Sequence, residues 1–186
     1  MTESRVSPIT DPGTPGGNYL ASGIEHDEHG SPTASGAMHA RMNAKRLSKL
    51  DPLQHRRDLF IVTGDADAPV GLISWGSMAG VAREALQLAR SEGLQVKLLV
   101  PKLLYPVSRE VYQDFFASVK AGLVIEQSHQ GQLDKVIRMY ADVPEGIESL
   151  AKSGANPILA TEVVERVRQM ALALQRKQVP HSEPRE

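Results

Sequence analysis

Two short stretches carry the residue types that handle ligands at the ends of parallel strands. Gly76-Ser77 and Ser128-His129-Gln130-Gly131 each follow an apolar run and precede a helical pattern. At such a junction the backbone N–H groups of a helix start can cradle an anion or a carboxylate. The plainer role is a corner, in which Gly76 makes the tight turn and Ser77 caps the helix. Glu126, just ahead of the second stretch, has the chemistry of a general base, or of a side chain that pins the neighbouring turn. His129 is the histidine best placed for proton transfer. No partner nucleophile can be placed beside it, so no catalytic set is assembled. A third stretch, Glu25-His26-Asp27-Glu28-His29-Gly30, sets His26 and His29 among three carboxylates. Those ligand types could hold a metal, but the spacing fits no strong zinc signature. The plainer reading is a solvated polar turn.

The cofactor motifs with firm sequence rules are missing. The Gly76 turn has no G-x-G-x-x-G and no phosphate-loop lysine. Gly64-Asp65-Ala66 is only a superficial likeness to the Gly-Asp-Gly start of a thiamine diphosphate motif, and no Asn lies in the helix that follows. There are no cysteines, so neither a disulfide framework nor a thiolate-held iron–sulfur cluster is possible. Lysine plus arginine is 21 against 22 acidic residues, which argues against a nucleic-acid binder. No apolar run reaches the ~18 residues of a membrane span, and the N-terminus lacks an apolar signal core. A cytoplasmic protein is expected.

The elements that must position these stretches follow from periodicity. The run from Val70 reads as a strand buried on both faces. A helix from Met78 to about Glu92 follows, with Val81, Ala82, Ala85, Leu86 and Ala89 on one stripe and Gly93 as its terminator. Gln95–Val100 is a second strand. Ser108 is the expected N-cap of a helix carrying Val111, Tyr112, Phe115 and Val119. Gly122–Gln127 is a third strand, and Leu133, Val136, Ile137 and Tyr140 stripe the next helix. Ile147–Ala151 is a short fourth strand, and a last helix starts near Thr161. Leu59–Val62 is a small edge strand. Strand–helix units in series imply an α/β fold of three layers around a mostly parallel sheet.

Ahead of this, residues 1–69 read as a linker segment. Pro8, Pro12, Gly13, Pro15, Gly16 and Gly17 break regular structure up to about Thr33. This part is expected to be mobile or ordered against a partner. A helix is expected at about 34–50, with Arg41, Lys45, Arg46 and Lys49 on a basic face open to water, phosphate or an acidic partner. The α/β domain spans 70–175, and 176–186 is a polar tail that should fray.

In this order the motifs resemble the transketolase C-terminal-like domain of the 2-oxoacid:ferredoxin oxidoreductase α subunit, in its 2-oxoglutarate type. The matching residues are Ile73-Ser74-Trp75-Gly76-Ser77, Leu103-Leu104-Tyr105-Pro106-Val107, Val124-Ile125-Glu126-Gln127 and Gly131-Gln132-Leu133. Pro12 to Gly17, Gly23 to Gly30, Lys45-Arg46 and Lys49-Leu50 resemble the linker before that domain. The resemblance implies a complex that converts a 2-oxoacid and coenzyme A (CoA) to acyl-CoA and CO2 while reducing ferredoxin. Thiamine diphosphate, Mg2+, CoA and iron–sulfur clusters belong to that complex. None is expected in this chain. The implied partners are the pyrimidine-binding domain of the α subunit, the β subunit and ferredoxin; neither nucleic acid nor membrane is among them. On this reading the chain is a separately encoded or truncated C-terminal piece. It is architectural, makes subunit contacts and is inactive alone. Glu126, Gln127 and Gln132 would orient the turn, and the histidine-acidic linker would dock on the missing domain. The competing expectation is a stand-alone anion- or CoA-binding α/β module.

Overall fold

A computed structural model describes residues 6, 7 and 9–178. It divides into two units, residues 1–54 and 55–186.

The second unit is built on a five-stranded sheet. β1 (Phe60–Gly64) runs antiparallel to β3 (Val96–Pro101) at one edge. β2 (Val70–Ser74), β3, β4 (Ala121–Glu126) and β5 (Gly146–Ala151) are mutually parallel, and the order across the sheet is β1-β3-β2-β4-β5. Every residue of β2, β3 and β4 is buried, which explains their continuous apolar runs. Alternate side chains serve opposite faces. Leu72, Leu98 and Leu123 pack under α2 (Met78–Ser91) and α5 (Ala160–Gln178). Ile73, Leu99 and Val124 pack under α3 (Arg109–Phe116) and α4 (Gln132–Tyr140). Each of these buried leucines contributes roughly 1.5–3 kcal/mol.

The three-layer fold is the one the periodicity implies, and β1 brings the sheet back to Phe60, inside the segment the sequence reading assigns to the linker. Of the expected tail, residues 176–178 belong to α5, and 179–186 lie outside the described residues. At the β2–β4 pair, Gly71 faces Gly122. A Cβ on Gly122 would lie 2.0 Å from the Gly71 carbonyl oxygen, and one on Gly71 would lie 3.0 Å from Phe115 and Val119. Gly71 lets Phe115 of α3 sit close on the sheet, and Gly122 lets β4 pass close to the β2 backbone. Beside them Lys97 is buried, its Nζ donating to Ser118 Oγ at 2.8 Å and Ala66 O at 3.2 Å, over the Phe115 ring. At the far edge, Glu148 of β5 is exposed and pairs with Arg166 of α5.

In the first unit, α1 (Gly36–Ser48) begins at Ser35, whose hydroxyl accepts the Met38 N–H. Its basic face meets acidic groups of its own segment. Arg46 donates to Glu25 at 3.1 Å, Arg41 pairs with Glu28, and Lys45 donates to Ser7 Oγ at 2.5 Å. His39 Nδ1 lies 2.5 Å from Glu25, while its Nε2 faces the donating amide of Asn43 at 2.9 Å. Arg46 and His39 together hold the Glu25 carboxyl down at about 2.

Candidate functional site

The crossover from β3 to β4 passes over β2, so the helices that follow β2 and β4 lie on opposite faces of the sheet. That divergence opens a cleft at the carboxyl ends of the two central strands, the usual ligand position in such sheets. The cleft holds about 330 Å3. One wall is the β2–α2 turn, with Trp75, Gly76, Ser77 and Met78; the other is the end of β4 and the start of α4, with Glu126, Gln127, Ser128 and Gln132.

The structure thus brings Gly76, Ser77 and Ser128 to one place. His129 is exposed on the same turn, outside the cleft lining. Gly131 is also outside it. Its φ of +62° and a Cβ position 2.4 Å from Ser149 Oγ make it a turn and packing glycine.

The capping expectations need correction. Ser77 precedes α2, but its backbone is already helical and its hydroxyl makes no cap bond. Ala79 N–H instead bonds Gly76 O at 3.2 Å, and Gly80 N–H bonds Ser77 O at 3.3 Å. Gly76, at φ +56°, makes the turn. Ser108, buried ahead of α3, also makes no cap bond. The start of α4 is capped from the strand: Glu126 Oε1 accepts the Leu133 N–H at 2.8 Å. Ser128 Oγ accepts the Gly131 N–H at 3.0 Å.

At the start of α2 the N–H groups of Ala79 and Gly80 are taken by backbone carbonyls, and at that of α4 the N–H groups of Gly131 and Leu133 are taken by Ser128 and Glu126. Glu126, only 2% exposed, supplies the acceptor for the Leu133 N–H itself. The sequence places Glu126 at this turn as a possible general base or turn-pinning group, and its bond to Leu133 is of the second kind. Glu126 lies seven residues before its partner N–H, outside the spacing of local caps. Gln127 joins the cleft to the next loop: its amide donates to Gly154 O and Asn156 O and accepts from Ile158 N–H at 3.3 Å.

His26 and His29 sit in the first unit. His26 Nδ1 lies 2.9 Å from Ile24 O, and Asp27 Oδ1 accepts the His29 and Ser31 N–H groups. Those N–H groups, Ser31 first, lower the Asp27 pKa. Glu25 and Glu28 are engaged by α1. Among the described residues no three His, Cys, Asp or Glu side chains are grouped to hold a metal, and no helix is long and apolar enough to cross a membrane.

Comparison with known proteins places this geometry. The family described as pyruvate:ferredoxin oxidoreductase core domain II matches residues 68–170, more than half of the chain. The 2-oxoacid:ferredoxin oxidoreductase 2 subunit alpha of Aeropyrum pernix is 28% identical over 91% of this chain and 26% of its own length. The 2-oxoacid:ferredoxin oxidoreductase subunit alpha of Saccharolobus solfataricus is 25% identical over 97% and 29%. The solved 2-oxoglutarate:ferredoxin oxidoreductase of Magnetococcus marinus, with 2-oxoglutarate, coenzyme A and succinyl-CoA bound, superposes with a TM-score of 0.76 at 38% identity. That match covers 90% of this chain and 29% of that one. The chain therefore spans under a third of the length of these relatives. With the sheet order, the strand-end cleft and these matches in agreement, the chain belongs to the 2-oxoacid:ferredoxin oxidoreductase family, in the part described as core domain II.

Proposed function

We propose that the chain is the transketolase C-terminal-like part of the α subunit of a cytoplasmic 2-oxoglutarate:ferredoxin oxidoreductase. The overall reaction takes 2-oxoglutarate, CoA and two oxidised ferredoxins to succinyl-CoA, CO2, two reduced ferredoxins and a proton. The observation that carries this reading is the 38% identity with the 2-oxoglutarate enzyme over 90% of the chain. In this reading the chain shapes the complex and contacts its neighbours, the pyrimidine-binding domain and the β subunit.

The chain's own donor set does not fit the groups that perform that chemistry. Zero cysteines leave no thiolate for an iron–sulfur cluster. The strand-end cleft is lined by the Glu126 carboxylate, which disfavours a phosphate there. In this reading the thiamine diphosphate, Mg2+, CoA and cluster sites belong to the rest of the complex.

Co-expression with candidate thiamine- and cluster-binding subunits tests this. A stable complex that forms succinyl-CoA, with activity lost when this chain is omitted, is the expected result. A chain that stays monomeric beside those subunits overturns it. The stand-alone module is tested by calorimetry with CoA, thiamine diphosphate and 2-oxoglutarate; a saturable heat with any of them would favour it.

A further inference from the structure

Glu126, at the end of β4, is buried and lines the cleft, with one oxygen committed to Leu133 N–H at 2.8 Å. Among the described residues no other group donates to its carboxylate. A buried carboxylate with a single neutral hydrogen bond is under-compensated, and its remaining acceptor capacity borders the cleft. Trp75, 41% exposed and the single tryptophan of the chain, lines the same cleft. Gln132 lines the opposite wall and is exposed to solvent.

A carboxylate and an indole lining one cleft supply the two groups that recognise a flat cation. A guanidinium stacks on an aromatic face and donates charge-assisted hydrogen bonds to a carboxylate. The same carboxylate disfavours an anion in the cleft by like-charge repulsion. We propose that this cleft receives the guanidinium of an arginine side chain presented by a partner protein. Charge complementarity and a volume of about 330 Å3, ample for one side chain, support that occupant. The inference stands on the cleft alone and does not use the oxidoreductase reading; failure of the co-expression experiment would leave it intact.

Trp75 reports on the site directly. The full chain is titrated with N-acetyl-arginine amide, N-acetyl-citrulline amide, agmatine and inorganic phosphate, following indole fluorescence and the indole N–H resonance. The expected result is a saturable shift with the arginine probe and binding about tenfold weaker or worse for neutral citrulline, the equivalent of one charge-assisted contact. Phosphate should have no effect. The shift should disappear in Glu126→Gln, and also in Gln132→Lys, which sets a cation on the cleft wall without altering a buried residue. Equal binding of citrulline and arginine, saturable binding of phosphate, or no saturable response to the arginine probe would each overturn the proposal. Agmatine binding far more tightly than the capped arginine would overturn the protein source in favour of a small cationic metabolite.

Discussion

Glu126 Oε1 and the Leu133 N–H lie 2.8 Å apart, so the last residue of β4 caps the helix that follows it. The bond spans the whole β4–α4 turn and holds strand end, turn and helix start as one piece. Glu126→Ala removes the acceptor and leaves a buried N–H without one. Urea unfolding should show a loss of about 1–3 kcal/mol. Glu126→Gln keeps an acceptor oxygen and should cost less. Equal unfolding midpoints for Ala and wild type would show that the bond contributes nothing.

Gly122 and Gly76 should respond differently to alanine. At Gly122 the new Cβ would overlap the Gly71 carbonyl at 2.0 Å, a backbone clash between two central strands. Gly122→Ala should therefore cost at least the ~1–3 kcal/mol of an overpacked core and lower the soluble yield. At Gly76 there is open space, and only the positive φ of 56° opposes a side chain. Gly76→Ala should cost about 1–2 kcal/mol and keep the fold. Thermal unfolding of the two variants checks the order, which would be wrong if Gly76→Ala proved the more damaging.

The Glu25 clamp on α1 should be sensitive to acid. Arg46, then His39, holds this carboxyl well below its ordinary 4.5, at about 2. Because the folded value is the lower one, the clamp is fully in place above 4.5 and is lost as pH falls towards about 2. Carboxyl-carbon NMR titration of Glu25 should show the low midpoint. In Arg46→Ala the midpoint should rise towards 4.5. An unchanged midpoint would remove Arg46 as the cause.

Lys97 gives an opposite, alkaline signature. Burial lowers its pKa from 10.5, so between the lowered value and 10.5 the unfolded chain binds more protons than the folded one. The Lys97 contribution should make stability rise with pH across that window. Lys97→Met should flatten the rise, as measured by urea unfolding at a series of pH values. A rise of the same size in the variant would assign it to another group.

Most of the sheet is legible in the sequence because its central strands are buried on both faces. The runs around Leu72–Ile73, Leu98–Leu99 and Leu123–Val124 have no polar alternation to disguise them. The Gly93 helix stop is legible because a left-handed glycine leaves a local signature. The capping of α4 is not. A serine beside a helix start looks like a cap at both Ser77 and Ser108, yet neither hydroxyl makes the bond, and the carboxylate that caps α4 belongs to the preceding strand. The pairing of Arg41 and Arg46 with Glu28 and Glu25 is hidden for the same reason: partners 13 and 21 residues apart have no periodic mark.

The exposed Glu148 on the edge strand β5, tied to Arg166, also bears on how copies of the chain meet one another. An edge strand offers an unfinished row of hydrogen bonds to any neighbouring strand. Charged side chains held at that rim make continuation of the sheet by a strand of another copy less favourable, so crowding during synthesis is less prone to end in fibrils.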